Sequence, residues 1–314
     1  MEVNSGSKLI SKSHVHKPQL ALDEKRGMIP TILADSYLKD ISNFKVRNDD
    51  IFVVSYPKSG TNWILYTLHL LNQLQKNEKV IQQMSPVPYM EFPEGYDVAK
   101  AASTPGQYVR ANDMPSPRVL MSHLQLELLP RELRARKGKL IYIARNPKDV
   151  AVSFYHFASL TTNLPGYSWP EYFTKYCQGK THRGLWFDHV LAFWEFAQGN
   201  EDTVLFLKYE DMILNPTSTV TIIAEFLGYS LTEDNIAFVV NQTSFENMKT
   251  ACVPLNAGPT KTKNNNNKNK PSFMRKGKIG DWRNKFTVAQ NEFFDAIYEG
   301  KMKNTGLHFD FGDQ

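Results

Sequence analysis

The segment at 56–63, which reads YPKSGTNW, has the composition of a phosphate-binding loop. Lys58 supplies a mobile positive charge, Ser59 and Thr61 supply hydroxyl donors, and Gly60 lets the backbone approach a ligand. A buried strand is predicted before this segment and a helix after it, so backbone N–H groups and the positive end of a helix would meet here. Since Lys58 precedes the only glycine, the loop is not a Walker A box. An ordinary strand-to-helix turn with a solvated lysine is the alternative.

His123 is the second residue that could carry chemistry. Of the eight histidines, only His123 directly follows a predicted strand. A neutral imidazole at this point could accept a proton from a substrate hydroxyl near neutral pH. The alternative is a structural histidine whose ring nitrogens are satisfied inside the fold.

A third cluster contains Arg145 at the end of an apolar run and Ser153 about two turns into the following predicted helix. Both could face a phosphate from the side opposite Lys58. The alternative is that Arg145 forms a salt bridge with Asp149 while Ser153 lies on a solvent face.

The fourth cluster is basic: Arg275 and Lys276 lead into Gly277, as a clamp on a terminal phosphate would require. A flexible basic loop is the alternative, because an asparagine-rich stretch precedes it.

These residues lie among alternating strand-like and helix-like segments. His123 directly follows one predicted strand, and Arg145 directly follows another. The predicted strands are at 51–55, 118–122, 139–144 and 203–207, and the predicted helices are at 64–75, 148–159, 186–198 and 216–227. Such alternation predicts an α/β fold with a mostly parallel central sheet flanked by helices, containing a strand–phosphate-binding loop–helix unit. Ligands of such sheets bind at the carboxyl ends of the strands.

The net charge of +5 is a local feature of the chain. Residues 259–285 hold nine Lys/Arg and one acid, which leaves 28 basic and 31 acidic residues elsewhere, a net charge of −3. A nucleic-acid-binding protein more often spreads its charge over a face, so we expect no nucleic-acid partner and favour a small, highly charged ligand. No apolar run approaches the roughly 20 residues of a membrane span, and the first residues lack a secretory signal. We therefore expect no membrane partner and a cytosolic location.

Two cysteines and scattered histidines give no metal-ligand spacing, so no metal is expected. Residues 1–30 are polar and predict a partly ordered N-terminal arm, and residues 31–314 predict a single domain. The low-complexity stretch Thr260–Lys270 indicates a flexible loop, which we place at 260–272.

Three blocks of this sequence resemble the signature blocks of the cytosolic sulfotransferases. They are YPKSGTNW at 56–63, RNPKDVAVSFYHF at 145–157 and RKGKIGDWRNKFT at 275–287. The blocks occur in the family's order, and the resemblance spans about residues 40 to 300. It implies transfer of a sulfuryl group from 3′-phosphoadenosine 5′-phosphosulfate (PAPS), with PAP as product, to a hydroxyl or amine.

The resemblance also implies roles for individual residues. His123 would be the general base, Lys58 would stabilise the leaving group, and Ser153 would restrain Lys58 until acceptor arrives. Donor-binding residues would be Lys58, Ser59, Gly60, Thr61, Asn62 and Trp63 at the 5′-phosphosulfate, Arg145, Ser153, Arg275, Lys276 and Gly277 at the 3′-phosphate, and Tyr209, Thr243, Ser244 and Phe245 at the adenine. The acceptor pocket would be lined by Tyr89, Phe92, Phe157 and Met248, an aromatic setting that suits a phenol, steroid, amine or hormone-like alcohol. The loop at 260–272 would cap the substrates.

The sequence departs from the family pattern in places. Met121 stands where many members have lysine, and Asn62 stands where several have threonine. A short dimer motif is present in altered form from Arg283 to Glu292, which predicts a homodimer. Two alternatives stay open: a small-molecule kinase, which would need magnesium and a Walker A loop, and a non-catalytic PAPS or PAP binder that has lost its acceptor site.

Overall fold

The computed structural model describes residues 20–23, 27–30, 35–94, 104–160, 166–181, 183–251 and 275–312. Six strands lie in this part of the chain: β1 Leu20–Asp23, β2 Gly27–Pro30, β3 Ile51–Ser55, β4 Val119–Ser122, β5 Lys139–Ala144 and β6 Val204–Lys208. The first helices are α1 Asp35–Ser42, α2 Thr61–Gln75, α3 Gln107–Ala111, α4 Arg131–Arg134, α5 Pro147–Leu160 and α6 Trp169–Cys177. They are followed by α7 Trp186–Ala197, α8 Tyr209–Leu214, α9 Pro216–Leu227, α10 Glu233–Gln242, α11 Phe245–Ala251 and α12 Val288–Met302.

Four strands form a parallel sheet in the order β4-β3-β5-β6. Ile51 of β3 is in register with Val119 of β4 on one side and with Lys139 of β5 on the other. From β3 the chain moves to one side of the sheet, and from β5 it moves to the other, so a crevice opens beyond the carboxyl ends of these two neighbours. The predicted α/β class and the parallel central sheet are confirmed.

The sheet is buried on both faces, because β3 alternates between two apolar clusters. Phe52 and Val54 pack with residues of α5, α6 and α7, whereas Ile51 and Val53 pack with residues of α2, α9 and α10. A strand covered on both sides reads as a continuous apolar run, which is why the four sheet strands could be predicted from sequence. Their observed bounds differ from the predicted ones by one residue at most.

Helix α2 begins at Thr61, three residues before its predicted start, because the backbone becomes helical directly after the left-handed Gly60. Helix α9 has its predicted bounds, with Pro216 in the first turn and a left-handed Gly228 after the last.

The strands β1 and β2 form a two-stranded antiparallel sheet, in which Leu20 pairs with Pro30 and Asp23 with Gly27. Both strands lie within the partly ordered arm predicted at residues 1–30. The domain boundary near residue 30 stays a prediction, and the loop predicted at 260–272 lies outside the described residues. None of the helices in the described ranges is both long and apolar enough to span a bilayer.

Candidate active site

The predicted phosphate-binding loop joins β3 to α2 at the edge of the crevice. Lys58 and Gly60 both have left-handed backbone, with φ of 72° and 112°. A Cβ atom on Gly60 would lie 2.8 Å from Cδ2 of Tyr209 and 3.0 Å from Cδ1 of Ile143. Glycine is therefore required here both by the backbone angle and by the neighbouring side chains.

Buried polar atoms of the same loop have no internal partner. Within the described residues, neither Ser59 Oγ nor Trp63 Nε1 makes a hydrogen bond. Buried donors are normally satisfied, so two of them at a helix start mark a place where a ligand would supply acceptor oxygens. Trp63 also contacts Tyr209 edge to face, with ring centroids 5.9 Å apart.

Three cationic side chains converge on this loop. Burial lowers the pKa of Lys58 to about 7, and repulsion from Arg145 and Arg275 adds to that effect. The Lys58 ammonium lies 4.5 Å from the ring centroid of Phe157. Since like charges disfavour one another, the arrangement has a net attraction for an anion.

Arg145 follows β5 directly, as predicted, and its side chain is buried. Its guanidinium carbon lies 4.3 Å from the ring centroid of Tyr209, and its NH2 donates to the carbonyl of Lys278 at 3.2 Å. The alternative salt bridge also exists, with NH2 of Arg145 3.4 Å from Oδ2 of Asp149. The Nε atom of Arg145 nevertheless has no hydrogen-bond partner in the described part of the chain.

Asp149 anchors the segment that carries the fourth cluster. Its carboxylate accepts the backbone N–H groups of Gly280 at 3.0 Å and Trp282 at 2.9 Å, and the side-chain amide of Asn146 at 3.0 Å. These contacts fix the segment around residue 280 to the start of α5, next to Arg145.

Arg275 and Lys276 share one counter-ion, because both form ion pairs with Asp281. The Nε atom of Arg275 has no hydrogen-bond partner among the described residues. Gly277 has φ of 64°, and a Cβ there would lie 2.1 Å from Cδ2 of Phe245, so the glycine packs directly on that ring.

Other predicted donor contacts lie around these groups. Thr243 is the C-cap residue directly after α10, and its hydroxyl donates to the carbonyl of Val239 at 2.8 Å. The carbonyl of Ser244 accepts the N–H of Met248 at 2.9 Å. Asn62 lies in the first turn of α2, and Ser153 is half-buried in α5, one turn before Phe157. Residues four apart share a helix face, so Ser153 lies on the same side of α5 as the ring that Lys58 contacts.

His123 lies at the carboxyl end of β4, beside the loop. Its Nδ1 is 2.7 Å from the carbonyl oxygen of Ser55 and 3.1 Å from the hydroxyl of the same residue. Burial lowers the pKa of His123 to about 3, and the positive charge of Arg183 adds to the effect. The imidazole is therefore neutral at physiological pH, and its Nε2 is the nitrogen that can accept a proton.

An ion pair between Glu91 and Arg183, which no sequence pattern indicates, lies beside His123. Glu91 accepts the backbone N–H of His123 and the hydroxyl of Ser122, each at 2.8 Å, and its Oε1 lies 3.1 Å from NH2 of Arg183. Burial raises the pKa of Glu91, although Arg183 opposes that shift. Glu91 lies between two predicted pocket residues, but no local pattern marks Arg183 as its partner.

The predicted acceptor residues fall into two groups. Tyr89 contacts His123 edge to face at 5.2 Å and Phe92 at 4.4 Å, measured between ring centroids, and Phe157 lies under Lys58. Met248 is instead buried in the apolar cluster that contains Tyr89. Three of the four aromatic or apolar candidates therefore surround the groups that could react.

Met121, the residue in place of a lysine, is buried and holds Tyr89 in position. Its backbone bonds to those of Pro88 and Met90 at 3.0 and 2.9 Å, so residues 88–90 run parallel to β4. Within the described residues, no group of three or more His, Cys, Asp or Glu side chains could hold a metal ion.

Comparisons with known proteins agree with this geometry. Residues 48–306 match the family model of the sulfotransferase domain. Human sulfotransferase 1C2 is 37% identical over 300 residues, which cover 93% of this chain and 96% of the relative. The crystal structure of mouse sulfotransferase SULT7A1 complexed with PAP is 32% identical, with a TM-score of 0.71 over 88% of this chain and 91% of that chain. Retinol dehydratase in a complex with retinol and PAP is 25% identical, with a TM-score of 0.71 over 88% of each chain.

Proposed function

The chain belongs to the sulfotransferase family, and we propose that it transfers the sulfuryl group of PAPS to a hydroxyl or amine of a small, largely apolar acceptor. One observation carries the proposal: Lys58, Arg145 and Arg275 converge at a loop whose buried Ser59 and Trp63 polar atoms have no partner in the described residues. PAP in the solved relatives supports PAPS as the donor.

The residues fit a donor with two phosphate-type ends. For one phosphate-type end, Ser59 Oγ and Trp63 Nε1 are available as hydrogen-bond donors near the Lys58 charge. For the other end, the Nε atoms of Arg145 and Arg275 are available as donors. We assign Lys58, Ser59, Gly60, Thr61, Asn62 and Trp63 to the 5′-phosphosulfate, Arg145, Ser153, Arg275, Lys276 and Gly277 to the 3′-phosphate, and Tyr209, Thr243, Ser244 and Phe245 to the adenine. Asp281 would hold Arg275 and Lys276 together before the donor binds.

When bound, PAPS supplies an activated sulfuryl group whose bond to a phosphate oxygen breaks as the acceptor atom attacks sulfur. His123 takes the proton of the acceptor hydroxyl on Nε2, because Nδ1 is committed to Ser55. The Lys58 ammonium compensates the negative charge that develops on the phosphate. Ser153 lies on the Lys58 side of α5, which supports a role in restraining that ammonium.

The acceptor would enter between the aromatic residues and His123. Tyr89, Phe92 and Phe157 form the apolar side of this space, and Met248 is buried in the same apolar cluster as Tyr89. Such a lining favours a phenol, a steroid, an amine or a hormone-like alcohol. No metal ligand takes part in this scheme, since the protein's cations compensate the leaving group.

We further propose a homodimer through the segment Arg283–Glu292 and a cytosolic location. Thr287 caps α12, Val288 after it is 76% exposed, and Phe293, just beyond the segment, is 56% exposed. Arg283 is also tied to its own chain, since its NH1 donates to the carbonyl of Phe311 at 2.8 Å. Exposed apolar side chains next to a fixed cation favour a protein contact at this segment.

The test is to incubate the purified chain with ³⁵S-labelled PAPS and a panel of phenols, steroids, amines and thyroid-hormone analogues. Labelled sulfated product supports the proposal. Tight PAP binding by calorimetry with no product from any acceptor would favour a non-catalytic binder. Magnesium-dependent turnover of a nucleoside triphosphate would instead indicate a kinase and contradict the proposal.

A further inference from the structure

Arg183 is a buried arginine that the proposed reaction does not use. Its side chain is only 2% exposed, so bulk water does not solvate the charge. In the described part of the chain, none of its Nε, NH1 and NH2 atoms makes a hydrogen bond, although NH2 is 3.1 Å from Glu91 Oε1. A guanidinium has five N–H donors, and leaving them unsatisfied in the interior is costly.

Glu91 does not satisfy this charge alone. The oxygen nearest to Arg183 already accepts the N–H of His123 at 2.8 Å, and the other oxygen accepts the hydroxyl of Ser122 at 2.8 Å. One carboxylate is thus shared among three donors. The site retains donor capacity for a second anion.

The guanidinium of Arg183 lies next to residues of the proposed acceptor pocket. Arg183 and the backbone of His123 contact the same oxygen of Glu91 and are therefore neighbours. The guanidinium carbon of Arg183 is 6.0 Å from the ring centroid of Phe92, which in turn contacts Tyr89. The backbone at Arg183 has φ of 83°, a left-handed conformation that is strained for a residue with a Cβ atom.

We propose that Arg183 binds a carboxylate on the acceptor, and that the preferred acceptors are small hydroxy acids whose hydroxyl lies at His123. A carboxylate matches the planar fork of a guanidinium and can take two of its N–H groups at once. Since Arg183 and His123 are neighbours, the carboxylate and the hydroxyl must be separated by only a few bonds. This inference rests on the proposed function, because it places the reacting hydroxyl at His123.

The experiment compares 3-hydroxybenzoate and 4-hydroxybenzoate with their methyl esters, which keep the ring and the hydroxyl but lose the charge. We expect the protein to use at least one acid with a kcat/KM about tenfold or more above that of its ester. Arg183→Gln should lower kcat/KM for that acid by about 10²-fold, as loss of a buried charge partner does, and change the ester by less than about threefold. Arg183→Lys keeps the positive charge but loses the planar fork. Its kcat/KM for the acid should therefore lie between those of the unsubstituted protein and Arg183→Gln.

Two readouts separate this inference from the proposed function. Calorimetric titration of the PAP-bound protein with each acid and ester measures recognition without turnover, and PAP affinity and thermal unfolding show whether Arg183→Gln is folded. If the unsubstituted protein binds and converts the esters as well as both acids, the inference is overturned, whatever the variant does. An acid preference that survives in a folded Arg183→Gln also overturns it. Acid binding that depends on Arg183, with no sulfated product from any acceptor, supports the inference and contradicts the proposed function.

Discussion

The Nδ1 atom of His123 lies 2.7 Å from the backbone carbonyl oxygen of Ser55. A carbonyl can only accept, so Nδ1 carries the proton and Nε2 carries the lone pair. Ser55 is also the last residue of β3, and its hydroxyl lies 2.7 Å from Oγ1 of Thr61. The strand that leads into the phosphate-binding loop thus sets the tautomer of the candidate base, which couples the two halves of the site.

Replacing the candidate base tests that arrangement most directly. His123→Asn should lower kcat by about 10²- to 10⁴-fold, the usual contribution of a general base. PAP affinity should change by less than about twofold, since the proposed function places His123 beside the acceptor and not beside PAP. Initial rates with labelled PAPS and a calorimetric titration with PAP measure the two effects. A variant that keeps most of its turnover would remove His123 from the role of base.

Binding of PAP should be linked to uptake of a proton by Lys58. Burial and two neighbouring arginines hold the pKa of Lys58 at about 7 in the free protein, and a bound phosphate would raise it. At a pH between the pKa of Lys58 in the free protein and its higher pKa in the complex, the complex holds more protons than the free protein. The affinity for PAP should therefore fall as pH rises above about 7. Titrations at pH 8 in buffers of different ionisation enthalpy report the proton directly.

Lys58→Met is the matched control for that linkage. It should bind PAP more weakly at pH 7 and should show no uptake of this proton at pH 8. Equal proton uptake by the variant would assign the proton to another group.

The central sheet could be predicted from sequence because each of its buried strands is a nearly continuous apolar run. A polar residue that could carry chemistry directly follows two of these runs, β4 and β5. His123 and Arg145 are visible in the sequence for that reason. The pair Glu91–Arg183 is not, because its members are far apart in sequence and lie outside regular elements. Only the folded backbone brings them to one place.

Asp149 shows a second limit of sequence patterns. Its spacing from Arg145 suggests a helical salt bridge, and that bridge exists. The backbone groups of Gly280 and Trp282 also bind Asp149, although they are more than 130 positions later in the chain. A short-range pattern contains no information about such tertiary partners.

Gly60 should be intolerant of even one methyl group. Gly60→Ala forces a left-handed φ of 112° on alanine and places Cβ 2.8 Å from the Tyr209 ring. We expect a loss of about 1–3 kcal/mol in the free energy of unfolding. Gly300→Ala is the control, because a Cβ within α12 would meet nothing within 4 Å, and it should stabilise the protein by about 0.5–1 kcal/mol. Urea unfolding measures both, and a neutral Gly60→Ala would contradict the tight packing.

Asp149→Ala should detach the segment near residue 280 from α5. It removes the acceptor for two backbone N–H groups and leaves the buried Arg145 without its carboxylate, at a cost of about 3–5 kcal/mol. PAP affinity should fall as well, because Arg145 and Arg275 lose their fixed separation. Urea unfolding and PAP titration give the two quantities. Unchanged PAP affinity would show that the segment stays docked by other contacts.

Val288 should lie in the contact between two copies of the chain. Val288→Lys places a charge on an apolar side chain that is 76% exposed in the single chain, and it should shift the protein from dimer to monomer. The matched control is Ile222→Lys on α9, which is 42% exposed and lies outside the segment Arg283–Glu292. Sedimentation equilibrium of the three proteins gives the masses. A monomeric parent protein, or a dimer that both variants retain, would contradict this assignment; a dimer lost only in Val288→Lys would place the contact at the start of α12.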